Sequence, residues 1–249
     1  MMKAVITLFL NFVNSLIRKV KNYFFKSNER SYVISIEGNI GSGKSTFLKY
    51  FVKFCHEKKI NHKVINEPID LWQNFEQSNI NLLKLYYDDP VRWAFIFQSY
   101  VQLTLFEQIK DTLKCRSLIM TERSLFSSYF VFTNLLYTLN YIDTICFKIL
   151  RKSFHLLTSL DYFKIDLIIY LQTKPEIAYE RVSSRNRKGE KNIDFNYVKK
   201  LHVYYEHWLN SKHHYHPFKI ITYDNNQTAS DIDFNIWIYR ILNELKSIE

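Results

Sequence analysis

Eight consecutive residues, Gly38-Asn39-Ile40-Gly41-Ser42-Gly43-Lys44-Ser45, hold three of the four glycines in this 249-residue chain. Their Gly-x-x-x-x-Gly-Lys-Ser spacing suits a loop whose main-chain N–H groups curl around a phosphate, because glycine takes the required backbone angles without a Cβ clash. In that pattern Lys44 reaches the outer phosphates, Ser45 offers its hydroxyl to Mg²⁺, and Thr46 starts the following helix. A chance glycine turn is the alternative, and the flanks argue against it. Residues 32–36 read as a buried strand, and residues 46–52 open a helix whose positive end faces the anion.

A second set is cationic: Arg181, Arg185 and Arg187 within Arg181-Val182-Ser183-Ser184-Arg185-Asn186-Arg187-Lys188-Gly189-Glu190-Lys191. As a bland reading it is a solvated helix end whose cations follow the dipole. Beside a phosphate loop, a clamp on a transferring phosphoryl group is favoured. A third set lies on one helix face, where Gln98, Val101 and Leu105 recur at helical spacing beside Phe97. A lone Gln there is commonly an edge-of-core residue, yet its carboxamide pairs a donor with an acceptor, as a nucleobase edge requires.

These residues need a scaffold. Apolar runs at 32–36, 63–66, 117–121, 166–171 and 218–223, separated by long helical stretches, predict an α/β fold with a parallel sheet covered on both faces. Ligands of such sheets gather beyond the strands' carboxyl ends. There stand the loop, Glu67, Glu122 with Arg123, and Asp224 with Asn225. A helix is expected at about 90–113, with Pro90 in its first turn and Asp88 and Asp89 as cap and dipole partners. Thr173-Lys174-Pro175-Glu176 reads as a capping box opening another at 175–185.

Composition bounds the rest. With 47% hydrophobic residues the chain fills one large core. The 17% aromatic content, in a chain poor in Gly and Pro, matches a genome-composition bias and carries no functional weight. Cys55, Cys115 and Cys146 are scattered, so neither disulfides nor zinc are expected. A reducing compartment follows, cytoplasmic, with mitochondrial as the alternative. The formal net charge is +10, but residues 1–30 hold six Lys and Arg against one Glu, leaving +5 for the other 219 residues. That remainder suits a protein binding ATP, and no nucleic-acid partner is expected. Residues 1–30 are a separable extension: a surface-seeking or targeting helix, or a segment packed on the domain. They are too short and polar for a membrane span, and membrane contact is the less favoured reading.

Taken in order, the residues resemble the deoxynucleoside kinase family of animals and viruses, which includes mitochondrial-type thymidine kinases. The likeness runs from Tyr32 to Trp208 through the glycine loop, Glu67-Pro68 with Trp72, Tyr86-Tyr87-Asp88-Asp89-Pro90 with Trp93, and Phe97-Gln98-Ser99-Tyr100-Val101. It continues through Glu122-Arg123-Ser124, Tyr179-Glu180-Arg181 with the arginine stretch, and Leu201-His202 with Trp208. The resemblance implies a P-loop kinase domain at 31–249 with a five-stranded parallel sheet and a lid at about 183–193. It implies transfer of the ATP γ-phosphoryl group to a deoxynucleoside 5′-hydroxyl, with Mg²⁺ on Ser45 and Glu122. Glu67 would take the hydroxyl proton, Arg123 would pair with Glu67, Lys44, Arg185 and Arg187 would neutralise the transferring group, and Arg181 would stack on adenine. For the nucleoside it implies Gln98 on the base edge, Phe97 and Phe132 on its faces, and Trp72 in the wall with Val101. Tyr87 and Glu190 would hold the sugar 3′-hydroxyl. Purine-accepting relatives carry an arginine and an aspartate where this chain has Leu105 and Ser128, so a pyrimidine is expected, thymidine or deoxycytidine. Relatives are commonly dimers, and the apolar stretch 141–157 would supply an interface. Tyr129 and Ser183 depart from the family by replacing arginines, and residues 1–30 match nothing in it. The rival readings are a thymidylate-type monophosphate kinase, a silent nucleotide-binding module and a nucleic-acid-binding protein. Glu67 opposes the first, since a hydroxyl acceptor needs a base whereas a monophosphate needs a cation.

Overall fold

The structure is a computed structural model that describes residues 31–112, 117–160, 164–185, 187, 190, 192–210, 217–228 and 232–245. The extension at 1–30, Cys115 and the lid positions Asn186, Lys188, Gly189 and Lys191 lie outside the described residues.

From β1 (Tyr32–Glu37) the chain passes through the glycine loop into α1 (Lys44–Glu57) and β2 (His62–Ile65). Two short helices, α2 (Ile69–Gln73) and α3 (Leu82–Asp88), precede the long α4 (Pro90–Thr112) and β3 (Leu118–Glu122). A composite helix follows: α5 (Leu125–Ser127), a π-helical turn (Ser128–Thr133) and α6 (Asn134–Thr138). Then come α7 (Thr144–Thr158), β4 (Leu167–Gln172), α8 (Pro175–Arg185), α9 (Phe195–Leu209), β5 (Lys219–Asp224) and α10 (Phe234–Leu245).

The five strands form one parallel sheet in the order β2-β3-β1-β4-β5. Each lies within one residue of its expected run; the three central strands β3, β1 and β4 are mostly apolar segments buried on both faces, and the edge strands β2 and β5 are partly exposed. Alternate side chains divide two cores. Val33, Ile119 and Ile168 face the layer of α4 and α9, whereas Ile34, Ile36, Met120 and Ile169 face α1 and α10 through Phe47, Phe51 and Ile238. Burying each such side chain contributes on the order of 1.5–3 kcal/mol, enough to fix strand register firmly.

Two local expectations are corrected. Asp89 does cap α4, accepting from the Arg92 N–H at 3.3 Å, but Asp88 ends α3 and pairs with Lys84 one turn back. Helix α8 starts at Pro175 as expected, yet the Thr173 hydroxyl makes no hydrogen bond; Asn226 Oδ1, from beyond β5, takes the Lys174 N–H at 2.8 Å instead. A capping box is a local signal, and here a tertiary contact displaces it. No described helix is long and apolar enough to cross a membrane.

Candidate active site

In-register pairing of Ile36 with Glu122 and of Ile65 with Thr121 makes the glycine loop, Arg123 and Glu67 leave the sheet side by side. Above these strand ends opens a cavity of about 380 Å³, within the range of small-molecule sites. Ile40, Gly41 and Gly43 to Thr46 of the loop, Arg181, Arg185 and Arg187, and an apolar wall from α4 all line it.

The loop needs its glycines. Gly41 has φ +77°, and a Cβ there would lie 2.1 Å from the Ala178 carbonyl oxygen. Gly43 has φ +86° and heads α1, whose N-terminus has no side-chain cap. The first N–H groups of α1 are therefore free for an anion. Lys44 Nζ donates to the Gly38 and Asn39 carbonyls at 3.2 and 2.9 Å, and the buried Ser42 hydroxyl has no hydrogen-bond partner. Burial, with Arg123 adding to it, pulls the Lys44 ammonium down to about 7. Polyphosphate suits this loop, because it supplies the counter-charge that Lys44 lacks and acceptors for the uncapped N–H groups. Ser45 Oγ donates to Glu122 Oε1 at 2.8 Å, a pair of hard oxygens suited to Mg²⁺. Behind the loop, Asn39 Nδ2 donates to the Val198 carbonyl and Asn225 Nδ2 to the Ser42 carbonyl.

Glu67 and Arg123 form the polar centre, with Arg123 Nε 2.8 Å from Glu67 Oε1. Arg123 has φ +69°, a conformation rare outside glycine, and its N–H donates to the Ile36 carbonyl. Its Nη1 donates to the Gly38 carbonyl at 3.0 Å and to the Tyr205 hydroxyl, while its guanidinium carbon lies 4.8 Å from the centre of the Phe132 ring. Burial opposes its charge, but Tyr205, Glu67, Glu37 and Glu122 outweigh that and hold it protonated.

The other end of the cavity is apolar. Phe97, Gln98, Val101 and Leu105 point in from α4, Trp72 from α2, and Ser128 and Phe132 from the π turn. A π turn packs an extra residue into a helix and is frequent at functional sites. Trp72 is fixed by donating from Nε1 to Thr104 Oγ1 at 3.0 Å. Ser128 Oγ donates to Gln98 Oε1 at 3.3 Å. Tyr87 lines the wall between the two ends, its hydroxyl kept neutral by burial and by Tyr197. At the lid, Glu190 is buried and takes Arg185 on one oxygen at 2.6 Å and Arg187 on the other at 3.2 Å. Arg181 donates to the Asn225 and Gln227 carbonyls at the cavity edge.

Thus every expected catalytic, nucleoside and metal residue lines one cavity. Gly38, Asn39, Ser42 and Asn225 support it from behind. Asp224 is a correction: it ends β5 exposed, its carboxylate accepting from the Asn226 N–H, because alternation along the strand turns it away. Tyr129, the departure near the base end, stacks on Phe154 at 4.4 Å, so aromatic packing occupies that position. Sequence reasoning gave no site role to Tyr86 and Ser124, which it quoted only as motif residues, nor to the lining residues Ile69, Leu83, Ser127 and Tyr197, nor to Glu37 and Tyr205 behind them. The spacing of Tyr197, Leu201, Tyr205 and Trp208 along one face of α9 was the available signal.

A model of the deoxynucleoside kinase family matches residues 34–245. The chain belongs to the deoxynucleoside kinase family. Among the kinase's relatives, a probable deoxycytidine kinase of fowlpox virus is 36% identical over 201 residues, 80% of each chain. Human mitochondrial thymidine kinase 2 is 34% identical over 185 residues, covering 74% of this kinase and 66% of that protein. Mitochondrial deoxyguanosine kinase of Xenopus laevis is 33% identical over 199 residues, 72% of this chain and 73% of that one. This chain is accordingly an enzyme, and the cavity is where its strand ends, its glycine loop and Arg181, Arg185 and Arg187 meet.

Proposed function

We propose that this kinase moves the γ-phosphoryl group of ATP to the 5′-hydroxyl of a pyrimidine deoxynucleoside, thymidine or deoxycytidine. The observation that carries it is the Glu67–Arg123 pair facing the glycine loop inside one cavity. When bound, ATP supplies the phosphoryl group and Mg²⁺ offsets its charge. Glu67 accepts the proton of the attacking hydroxyl, and Arg123 keeps that carboxylate turned toward it. Lys44, Arg185 and Arg187 offset the charge spread over the phosphoryl oxygens, Ser45 and Glu122 hold the metal, and Arg181 packs on adenine. Gln98 reads the base edge between Phe97 and Phe132, with Trp72, Val101 and Leu105 as wall. Tyr87 and Glu190 take the sugar 3′-hydroxyl. Leu105 and Ser128 leave no charge at the base end to meet the extra polar edge of a purine.

A single catalytic domain at 31–249 with a lid at about 183–193 accounts for the site, and residues 1–30 form the extension. A homodimer would cover α7, which exposes Ile145, Ile149 and Leu156 while burying Leu150 and Phe154. The free thiols of Cys55 and Cys146 fit a reducing compartment, which we read as cytoplasmic, with mitochondrial as the alternative.

The test is a phosphorylation panel with ATP and Mg²⁺ over thymidine, deoxycytidine, deoxyadenosine, deoxyguanosine and thymidine monophosphate. The expected order in kcat/KM puts a pyrimidine nucleoside first. A purine in first place overturns the base preference, and faster turnover of the monophosphate overturns the acceptor.

A further inference from the structure

Arg123 is hydrogen-bonded at one edge of its guanidinium and charge-paired at the other. Nη1 donates to the Gly38 carbonyl and the Tyr205 hydroxyl, whereas Glu67 lies 2.8 Å from Nε as an ion pair with no aligned hydrogen bond. Its backbone, at φ +69°, gives the side chain no ordinary helix or strand direction to follow, so these partners decide where the fork points. Of them, the Gly38 carbonyl is shared with Lys44 Nζ, and that ammonium has reason to turn outward once phosphate arrives. Tyr205, whose hydroxyl also meets the Ser127 side chain, carries no charge for phosphate to draw outward. It is wholly buried, does not line the cavity, and stacks on Tyr170 at 5.8 Å and 13°.

Helix α9 thereby touches the site twice on one face. Val198 takes the Asn39 amide of the glycine loop, and two turns later Tyr205 takes Arg123. A rigid helix that fixes the loop and the arginine together sets the distance between phosphate and base, and such distances govern transfer rates steeply.

We propose that Tyr205 is a positioning residue of the phosphoryl transfer: its hydroxyl sets the rotation of the Arg123 guanidinium, and through it the aim of the Glu67 carboxylate. This rests on the function proposed above and adds a residue that meets neither substrate.

The experiment is a double-mutant cycle with rates counted per nucleotide-binding site, so that unfolded chains do not enter. Tyr205→Phe keeps the stacked ring and removes one oxygen; kcat is expected to fall about tenfold, with both KM values within about twofold, since one charge-assisted hydrogen bond is lost. In an Arg123→Ala background the same change is expected to alter the residual rate less than about twofold, because its partner is already absent. Tyr170→Phe, which removes a hydroxyl bonded to Glu206 on the neighbouring ring, is expected to leave kcat unchanged. An unchanged kcat in Tyr205→Phe, a full loss repeated in the Arg123→Ala background, or an equal loss in Tyr170→Phe overturns the proposal. A wild-type chain inactive on every deoxynucleoside overturns the proposed function and this inference with it.

Discussion

At the phosphate end of the cavity the polar groups stand on backbone that the sheet fixes: a loop with positive φ at Gly41 and Gly43, Glu122 on the paired end of β3, and Glu67 two residues past β2. At the base end the wall is side-chain volume from α2, α4 and the π turn, and its hydrogen-bonding pair is Gln98 with Ser128. On the function proposed here, the first end recognises a charge that every nucleotide carries, and the second a shape that differs between bases. Substitutions at the two ends should therefore fail differently, one in rate and the other in choice.

The largest effect is expected at the phosphate end. Glu67→Gln should lower kcat by about 10²–10⁴-fold, the usual contribution of a positioned base, while ATP affinity stays within a few-fold. Stopped-flow turnover together with nucleotide titration measures both, and a kcat near wild type would remove Glu67 from the mechanism. Next, Gln98→Leu should lower kcat/KM for the preferred pyrimidine by about 10–10²-fold, by leaving base donors and acceptors unpaired. ATP affinity should not move; a matching loss there would erase the distinction between the ends.

The smallest effect concerns protons. Burial holds the Lys44 ammonium near 7 in the folded chain against an ordinary 10.5, so between those values the unfolded state binds the extra proton. Stability contributed by this group therefore rises with pH across that window and falls as pH drops toward 7. Polyphosphate binding restores the charge, so ATP should take up as much as about one proton at pH 8. Calorimetry in two buffers of different ionisation enthalpy reads this directly, and Lys44→Met should abolish the difference. Equal heats in both buffers would contradict the buried-ammonium account.

The phosphate end was readable because its information is contiguous. Gly38 to Ser45 fall in one stretch, and the five strand ends follow from apolar runs that only a two-sided sheet explains. Glu67 and Arg123 were placed because each follows a strand directly. Tyr205 and Glu37 were not: each is distant from Arg123 in sequence, and a buried Tyr on an aromatic helix face looks like core. The Thr173 cap failed for a related reason, since Asn226 reaches it from another element. Asp224 shared the strand-end position of the residues that line the cavity and lacked their side-chain direction. What lies in the chain's local order was legible; what depends on which distant groups meet was not.

The π turn has a genetic corollary. A helix with one residue too many can shed it: closing Ser128–Thr133 to an ordinary helix would keep the segments on either side in register while redirecting the side chains inside the turn. Ser128 and Phe132 would then face different neighbours although neither codon had changed. Nucleoside choice in this lineage could thus drift through a three-nucleotide deletion as readily as through any replacement in the wall itself.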